Sequence, residues 1–286
     1  MACKLFEDVF QDQFIPLDIR KRVGNYTIGR TLGQGSFSTV REGKHLLNEQ
    51  LVAIKIIQKS SILKQDKIRK RFCREIQVQK GLDHPNIVRC LEWMETERNF
   101  YLVLELVNGE NMRDYLKRKK RLPEQETKDI LIQICGAVDY MHNKGILHRD
   151  LKLDNMVLES NGKVKIADFG LSTNLDGLEN RLQFCGSPSF IAPEVLSKRN
   201  YTTASDVWSL GVNLFYLLTG NLPFTMESKH NFTSLYFSIL KGCEIPETLS
   251  TDCQDLLRKM LLMDETERIS IPDIIRHNWL KMDAYR

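Results

Sequence analysis

Apolar and polar positions divide the chain into a strand-rich front and a helix-rich remainder. Thr27 to Leu32 and the run Val52-Ala53-Ile54-Lys55-Ile56-Ile57 are short and rich in β-branched residues, and Phe100 to Val107 is apolar but for Glu105. Such runs predict strands. Between the first two lies Gly33-Gln34-Gly35-Ser36-Phe37-Ser38-Thr39-Val40. Val40 and the residues after it read as strand, so a glycine-rich hairpin is expected here and not a strand-to-helix turn. The third position of G-x-G-x-x-G is Ser38, which also argues against a dinucleotide-binding βαβ unit. From Lys67 to Lys80, Ile68, Phe72 and Ile76 recur every four residues with Glu75 beside the stripe, predicting a helix. Its other face (Lys64, Lys67, Arg69, Lys70, Arg71, Arg74) reads as solvated. Lys55 is a charge inside an apolar strand. Either it reaches solvent from an edge, or it is buried and paired.

Beyond Asn108-Gly109 the pattern turns mostly helical. Pro123 opens a helix to about Asn143 with Ile130, Leu131, Ile134, Val138 and Met141 inward, and Gly145 follows as a stop. Met156-Val157-Leu158 and Val164-Lys165-Ile166 are strand-like about an Asn161-Gly162 turn. Leu171 to Pro193 is irregular. Helices are expected at Ala204–Thr219, Ser234–Lys241, Thr251–Leu262 and Ile271–His277, the last opened by the cap Ser270-x-x-Asp273. The apolar stretch Val207 to Leu218 is interrupted by Ser209 and Asn213 and is too short to span a bilayer. It reads as a buried helix. Residues 1–25 stand apart. Leu5, Phe6, Val9, Phe10 and Phe14 sit at roughly helical spacing before Pro16. A short helix docked on its own domain, a frayed tail and a partner-binding helix all remain open.

Composition narrows the function classes. The chain has 286 residues, 42% hydrophobic and 27% charged, with a net charge of +4. One large domain or two lobes fit that length, and the charge is too mild to argue for nucleic acid. The basic run Lys117 to Arg121 reads as a solvated helix end. Seven cysteines, an odd number with no C-x-x-C pair, argue against a disulfide framework or a zinc site. The first residues have neither the apolar core of a signal peptide nor a glycine for myristoylation. A monomer in the cytoplasm or nucleus is expected, with no membrane span.

The candidate chemistry centres on His148-Arg149-Asp150-Leu151-Lys152-Leu153-Asp154-Asn155, followed by Asp168-Phe169-Gly170. A lone Asp is uninformative. An Asp, a Lys two on, an Asn five on and an Asp-Phe-Gly after a short apolar run suggest a base, a cation and two metal ligands presented to one phosphate. With Gly33-x-Gly35, Val52-Ala53-Ile54-Lys55, Glu75, Ala192-Pro193-Glu194, Asp206-Val207-Trp208 and Arg268 in order, residues 26 to 280 resemble a eukaryotic protein kinase. Lys152 within the loop is the Ser/Thr-kinase form. Cys185-Gly186-Ser187-Pro188 with Phe190-Ile191-Ala192-Pro193-Glu194 is similar to the calcium/calmodulin-dependent group, in its AMP-activated-kinase-related branch.

The resemblance implies an α+β, bilobal kinase fold: an N-terminal extension (1–25), a small mainly-β N-lobe with one major helix (26–106) and a larger mainly-α C-lobe (107–286). It implies transfer of the γ-phosphate of ATP to Ser/Thr hydroxyls of protein substrates, with Mg²⁺. Asp150 would accept or orient the hydroxyl proton and Lys152 neutralise the γ-phosphate. Asn155 and Asp168 would hold the metal. Lys55, placed by Glu75, would hold the α- and β-phosphates, and Ser187 would bridge base and lysine. Leu32, Gly33, Gln34, Gly35, Ser36, Phe37, Val40, Ala53, Leu104, Glu105, Val107, Asn111 and Val157 would line the nucleotide site. Leu104 would be the gatekeeper, with Glu105 and Val107 offering backbone groups to adenine. Glu194, Asp206 and Arg268 would be scaffold.

Three positions depart from the family pattern. Gln183 stands two residues before Cys185, where this branch carries a phosphorylated Thr. Activation by phosphate at that position is therefore not expected, and Arg149 loses an anionic partner. Gln79 replaces an apolar residue four after Glu75. Glu110-Asn111 replaces Gly-Glu after the hinge, leaving Glu110 and Asp114 as candidates to attract basic residues upstream of the target. The rival reading is a catalytically weak pseudokinase or scaffold that binds nucleotide and partners.

Overall fold

The hairpins expected over residues 26–57 form a twisted antiparallel sheet. The computed structural model describes residues 22–35, 38–62, 75–175, 184–226, 228 and 231–281. The chain divides into two compact units, Met1–Asp83 with Val88–Val107, and His84–Ile87 with Asn108–Arg286. Ser36, Phe37, Gln183, the apolar repeat of residues 5–14 and the Lys67–Arg74 part of the expected helix lie outside the described residues.

The first unit is built on β1 (Arg22–Val23), β2 (Tyr26–Gln34), β3 (Ser38–His45) and β4 (Leu51–Gln58). After them come a short helix α1 (Lys59–Ile62), a helical segment α2 at residues 75–80, β5 (Cys90–Glu95) and β6 (Asn99–Glu105). The sheet order is β1-β2-β3-β4-β6-β5. It begins at Arg22, which pairs with Thr27. Val52, Ile54, Tyr101 and Val103 pack with Tyr26 and Ile28 on one side, while Ile57, Ile76 and Leu102 form a second cluster. Neighbours Leu102 and Val103 are both fully buried. The sheet is thus covered on both faces, which is why its central strands read as continuous apolar runs rather than alternating ones. The edge strand β5 buries none of its residues fully, so no apolar pattern announced it.

The second unit starts with β7 (Gly109–Asn111), α3 (Met112–Lys119) and the long α4 (Glu124–Asn143). The short strands β8 (Ile146–Leu147), β9 (Met156–Glu159), β10 (Val164–Ile166) and β11 (Thr173–Asn174) carry the loops of interest. The helices α5 (Pro193–Leu196), α6 (Thr203–Thr219), α7 (Phe232–Leu240), α8 (Thr251–Met260) and α9 (Ile271–Arg276) complete it. Apart from the basic run Lys117 to Arg121, read as a solvated helix end, sequence pattern gives no sign of α3. It buries only Met112 and Leu116 and starts because the Asn111 side chain caps the Arg113 N–H. The basic run Lys117 to Arg121, which begins in its last turn, is exposed.

Helix α6 is buried almost all round, as expected of a helix apolar on every face. It stops at Gly220, whose φ is +77° and whose N–H bonds the Tyr216 carbonyl. A Cβ there would lie 2.2 Å from the Lys120 carbonyl oxygen. Gly220→Ala therefore combines a left-handed backbone with a contact against main chain. It is expected to cost about 2 kcal/mol, read as a lower midpoint in denaturant. An unchanged midpoint would refute this account. Among the described residues no helix is long and apolar enough to cross a membrane.

Candidate active site

The loop His148–Asn155 leaves β8, which is anchored by pairing with β11 (Leu147 opposite Thr173). It is pinned from below by Asp206 of α6. The Asp206 carboxylate accepts the His148 N–H and the Arg149 N–H, each at 3.0 Å, and meets His142 Nε2 at 2.9 Å. Burial would raise this carboxyl, but the bond and charge from His142, helped by His148 and the Arg149 amide, hold it below its ordinary pKa. Arg149 sits at φ +66°. Its Nε donates to the Leu171 carbonyl at 2.6 Å, and its guanidinium lies 5.4 Å from the centre of the Tyr201 ring.

Four groups converge on or beside Asp150. Oδ1 accepts the Ser187 N–H at 2.9 Å; Oδ2 accepts Asn155 Nδ2 at 3.1 Å and meets Lys152 Nζ at 3.0 Å. Lys152 Nζ also donates to Ser187 Oγ at 2.7 Å. Asp150, Lys152 and Asn155 from one loop and Ser187 from 37 residues on therefore form one polar cluster. With Oδ2 holding two donors, Oδ1 keeps one lone pair for a further donor.

Next to this cluster the Ala167 N–H donates to the Asn155 carbonyl at 2.8 Å, placing the Asp168-Phe169-Gly170 turn. Phe169 is fully buried, edge-on to His148 at 5.2 Å. Burial keeps the His148 imidazole below its ordinary pKa, against the pull of Asp206, Asp150 and Asp168. Asp168 is exposed at φ +59°. Asn155 spends its Nδ2 on Asp150, at the carbonyl (2.9 Å) and at Oδ2, which leaves its Oδ1 for another ligand. An amide oxygen and a carboxylate are hard donors of the kind Mg²⁺ takes, so these residues fit the metal.

In the first unit Lys55 Nζ forms a buried ion pair with Glu75. Gln79, also buried, donates to the Val88 carbonyl at 3.4 Å. The glycine-rich turn is closed by the Gly35 N–H on the Ser38 carbonyl at 2.8 Å, with Gly33 opposite Val40 and Gln34 opposite Thr39. Leu32 is partly exposed on the same hairpin. Val40 neighbours Lys55 across β3 and β4, and Ala53 and Leu104 face each other across β4 and β6. Glu105 closes β6 and donates its N–H to the Arg89 carbonyl at 3.0 Å; the unit ends at Val107. In the second unit Val157 pairs with Asn111, whose Nδ2 donates to the Asp154 carbonyl at 2.8 Å while its Oδ1 caps α3. The Asn111 amide is thus engaged at both ends. Glu110 and Asp114 already hold Arg118 (2.6 Å) and Lys117 (2.9 Å).

The sequence pattern of the protein kinase domain matches residues 26–280. The chain belongs to the protein kinase family. Among curated relatives, the hormonally up-regulated neu tumor-associated kinase of Mus musculus is 42% identical over 266 residues, covering 91% of this chain and 37% of its own. The human protein of that name is equally similar, and homolog A of Xenopus laevis is 41% identical over 265 residues, covering 91% and 38%. This chain therefore spans little more than a third of the length of these relatives.

Of the scaffold residues, Glu194 and Arg268 form a buried ion pair. Arg268 gives two bonds to Glu194, at 2.8 and 2.9 Å, and the rest of its donors go to the carbonyls of Leu262, Ala204 and Met263. Ser205 Oγ adds a further bond to Glu194 at 2.9 Å. Sequence reasoning missed two contributors. Tyr201, held by a bond to the Cys185 carbonyl, stacks on Arg149. His142 shares the Asp206 carboxylate. Neither carries a local signal, because each works through a residue distant in the chain.

Proposed function

We propose that this chain is a Ser/Thr protein kinase that moves the γ-phosphate of ATP to Ser/Thr hydroxyls of proteins. The observation that carries it is the Asp150 carboxylate, held by Ser187, Asn155 and Lys152 with one lone pair of Oδ1 left for a further donor. Asp150 Oδ1 accepts the hydroxyl proton of the substrate as the substrate oxygen bonds the γ-phosphorus. The bond from that phosphorus to the bridging oxygen breaks, and ADP leaves. Lys152 places positive charge beside the transferring phosphoryl group. Lys55, fixed by Glu75, takes the α- and β-phosphates. Asn155 Oδ1 and Asp168 would hold Mg²⁺, which neutralises phosphate charge. The glycine-rich hairpin with Val40, Ala53, Leu104 and the backbone of Glu105 and Val107 is assigned to the nucleotide. The free cysteines Cys90, Cys135, Cys185, Cys243 and Cys253 suit a reducing cytoplasmic or nuclear setting.

A phosphotransfer assay on a Ser/Thr peptide library tests this reading. Label incorporated from ATP on Ser or Thr is expected. Nucleotide binding without transfer would favour the scaffold instead.

The switch is proposed to be independent of phosphate on the activation segment. Arg149 has the Leu171 carbonyl and the Tyr201 ring as partners. Thr173 is fully buried, and Ser187 Oγ is engaged by Lys152. Phosphatase-treated enzyme is expected to retain its turnover. Mass mapping that finds activity tracking phosphate on Thr173, Ser187 or Ser189 would end this proposal.

A further inference from the structure

Helix α6 buries aliphatic side chains on every side, yet it carries the amide of Asn213 in its centre. Asn213 is 2% exposed, between Val212 and Leu214, both at 0%. A buried amide is costly unless its hydrogen bonds return the cost, and an aliphatic side chain would fill the same place without it. Asn213 Oδ1 has no partner among the described residues, so that part of the cost stands. Its Nδ2 makes two bonds, to the Ser209 carbonyl at 2.7 Å and to the Leu151 carbonyl at 3.0 Å. The first is redundant, because the Ser209 carbonyl already lies within reach of the Asn213 N–H in the helix ladder. The second is not. Leu151 is fully buried, and among the described residues no backbone N–H outside the regular elements donates to its carbonyl.

That carbonyl belongs to the peptide joining Leu151 to Lys152. Its orientation sets where the Lys152 chain departs and, through the preceding residue, how Asp150 is aimed. Asp206 lies seven residues before Asn213, two turns along the same face of the helix. Asp206 accepts N–H groups from His148 and Arg149, whereas Asn213 donates to the carbonyl of Leu151. One helix face therefore holds the loop by its donors at one end and by its acceptor at the other.

We infer that Asn213 is a positioning residue for phosphoryl transfer: its amide, through the Leu151 carbonyl, holds Asp150 and Lys152 in register. This rests on the kinase reading given above. Asn213 touches no reacting atom. It acts by restricting a peptide plane, and small misplacements of reacting groups are costly in rate.

Asn213→Leu and Asn213→Thr test this together. Leucine removes both bonds. Threonine keeps a bond to the Ser209 carbonyl, which protects folding, but is too short to reach Leu151. In both, kcat is expected to fall between about tenfold and a hundredfold with KM for ATP within about twofold of wild type. Amide hydrogen exchange over residues 148–153 is expected to quicken severalfold while α6 keeps its protection. Wild-type kcat in either folded variant would overturn the inference. So would a loss of kcat that follows a loss of melting temperature, with exchange quickened throughout the chain. If wild-type protein transfers no phosphate, the kinase reading fails, and exchange alone decides: a loosened loop above an intact α6 supports the anchor, and an unchanged loop removes it.

Discussion

Asp150→Asn is expected to lower kcat at least about a thousandfold while leaving nucleotide affinity near wild type. The substitution preserves shape, so the loop should fold. It fails chemically because an amide oxygen does not take up the substrate proton. It also fails electrostatically. The carboxylate now receives the Ser187 N–H on one oxygen and Asn155 and Lys152 on the other. An Asn side chain must turn its NH₂ toward one of these sides, and every group there is a donor. Steady-state phosphotransfer with a thermal-shift measurement of ATP binding separates the effects. Turnover above about a tenth of wild type would show that Asp150 is not the base, since a positioned base supplies about a hundredfold or more.

The largest stability effect is expected at Arg268, far from the chemistry. Its five N–H donors are all spent on Glu194 and three carbonyls, and its guanidinium lies 5.1 Å from the centre of the Trp208 ring. The Arg268 and Glu194 side chains are 0% and 2% exposed. Arg268→Met leaves a carboxylate buried without its cation, a change that costs about 3–5 kcal/mol. A fall in melting temperature of roughly 10 °C follows for a chain of this size. Pairing it with Glu194→Gln should return part of the loss, because the stranded charge is then gone. A fall below about 3 °C in the single variant would mean that solvent or repacking satisfies Glu194, contrary to its burial.

Much of this was legible in the residues. The central strands of the first unit declared themselves as continuous apolar runs, because both faces of their sheet are covered, and helix α4 by its period. The edge strand β5 did not, and of the helix α3 only the basic end showed. One buries little, and the other has two buried residues and a cap. The chemical motifs were legible as contiguous strings: His148 to Asn155, Asp168 to Gly170, Val52 to Lys55. Asn213 left a trace too, as a polar residue interrupting an apolar helix, but a trace without a partner.

Sequence by itself determined which groups could perform the chemistry and which short elements would present them. That information is local, held in neighbouring residues and in helix or strand period. Tertiary structure decided what each group touches: Ser187 on Asp150, Tyr201 on Arg149, Arg268 on Glu194, Asn213 on Leu151. These partners lie 37, 52, 74 and 62 residues apart. Their meeting depends on how helices and strands pack into a common core, and no period along the chain records it.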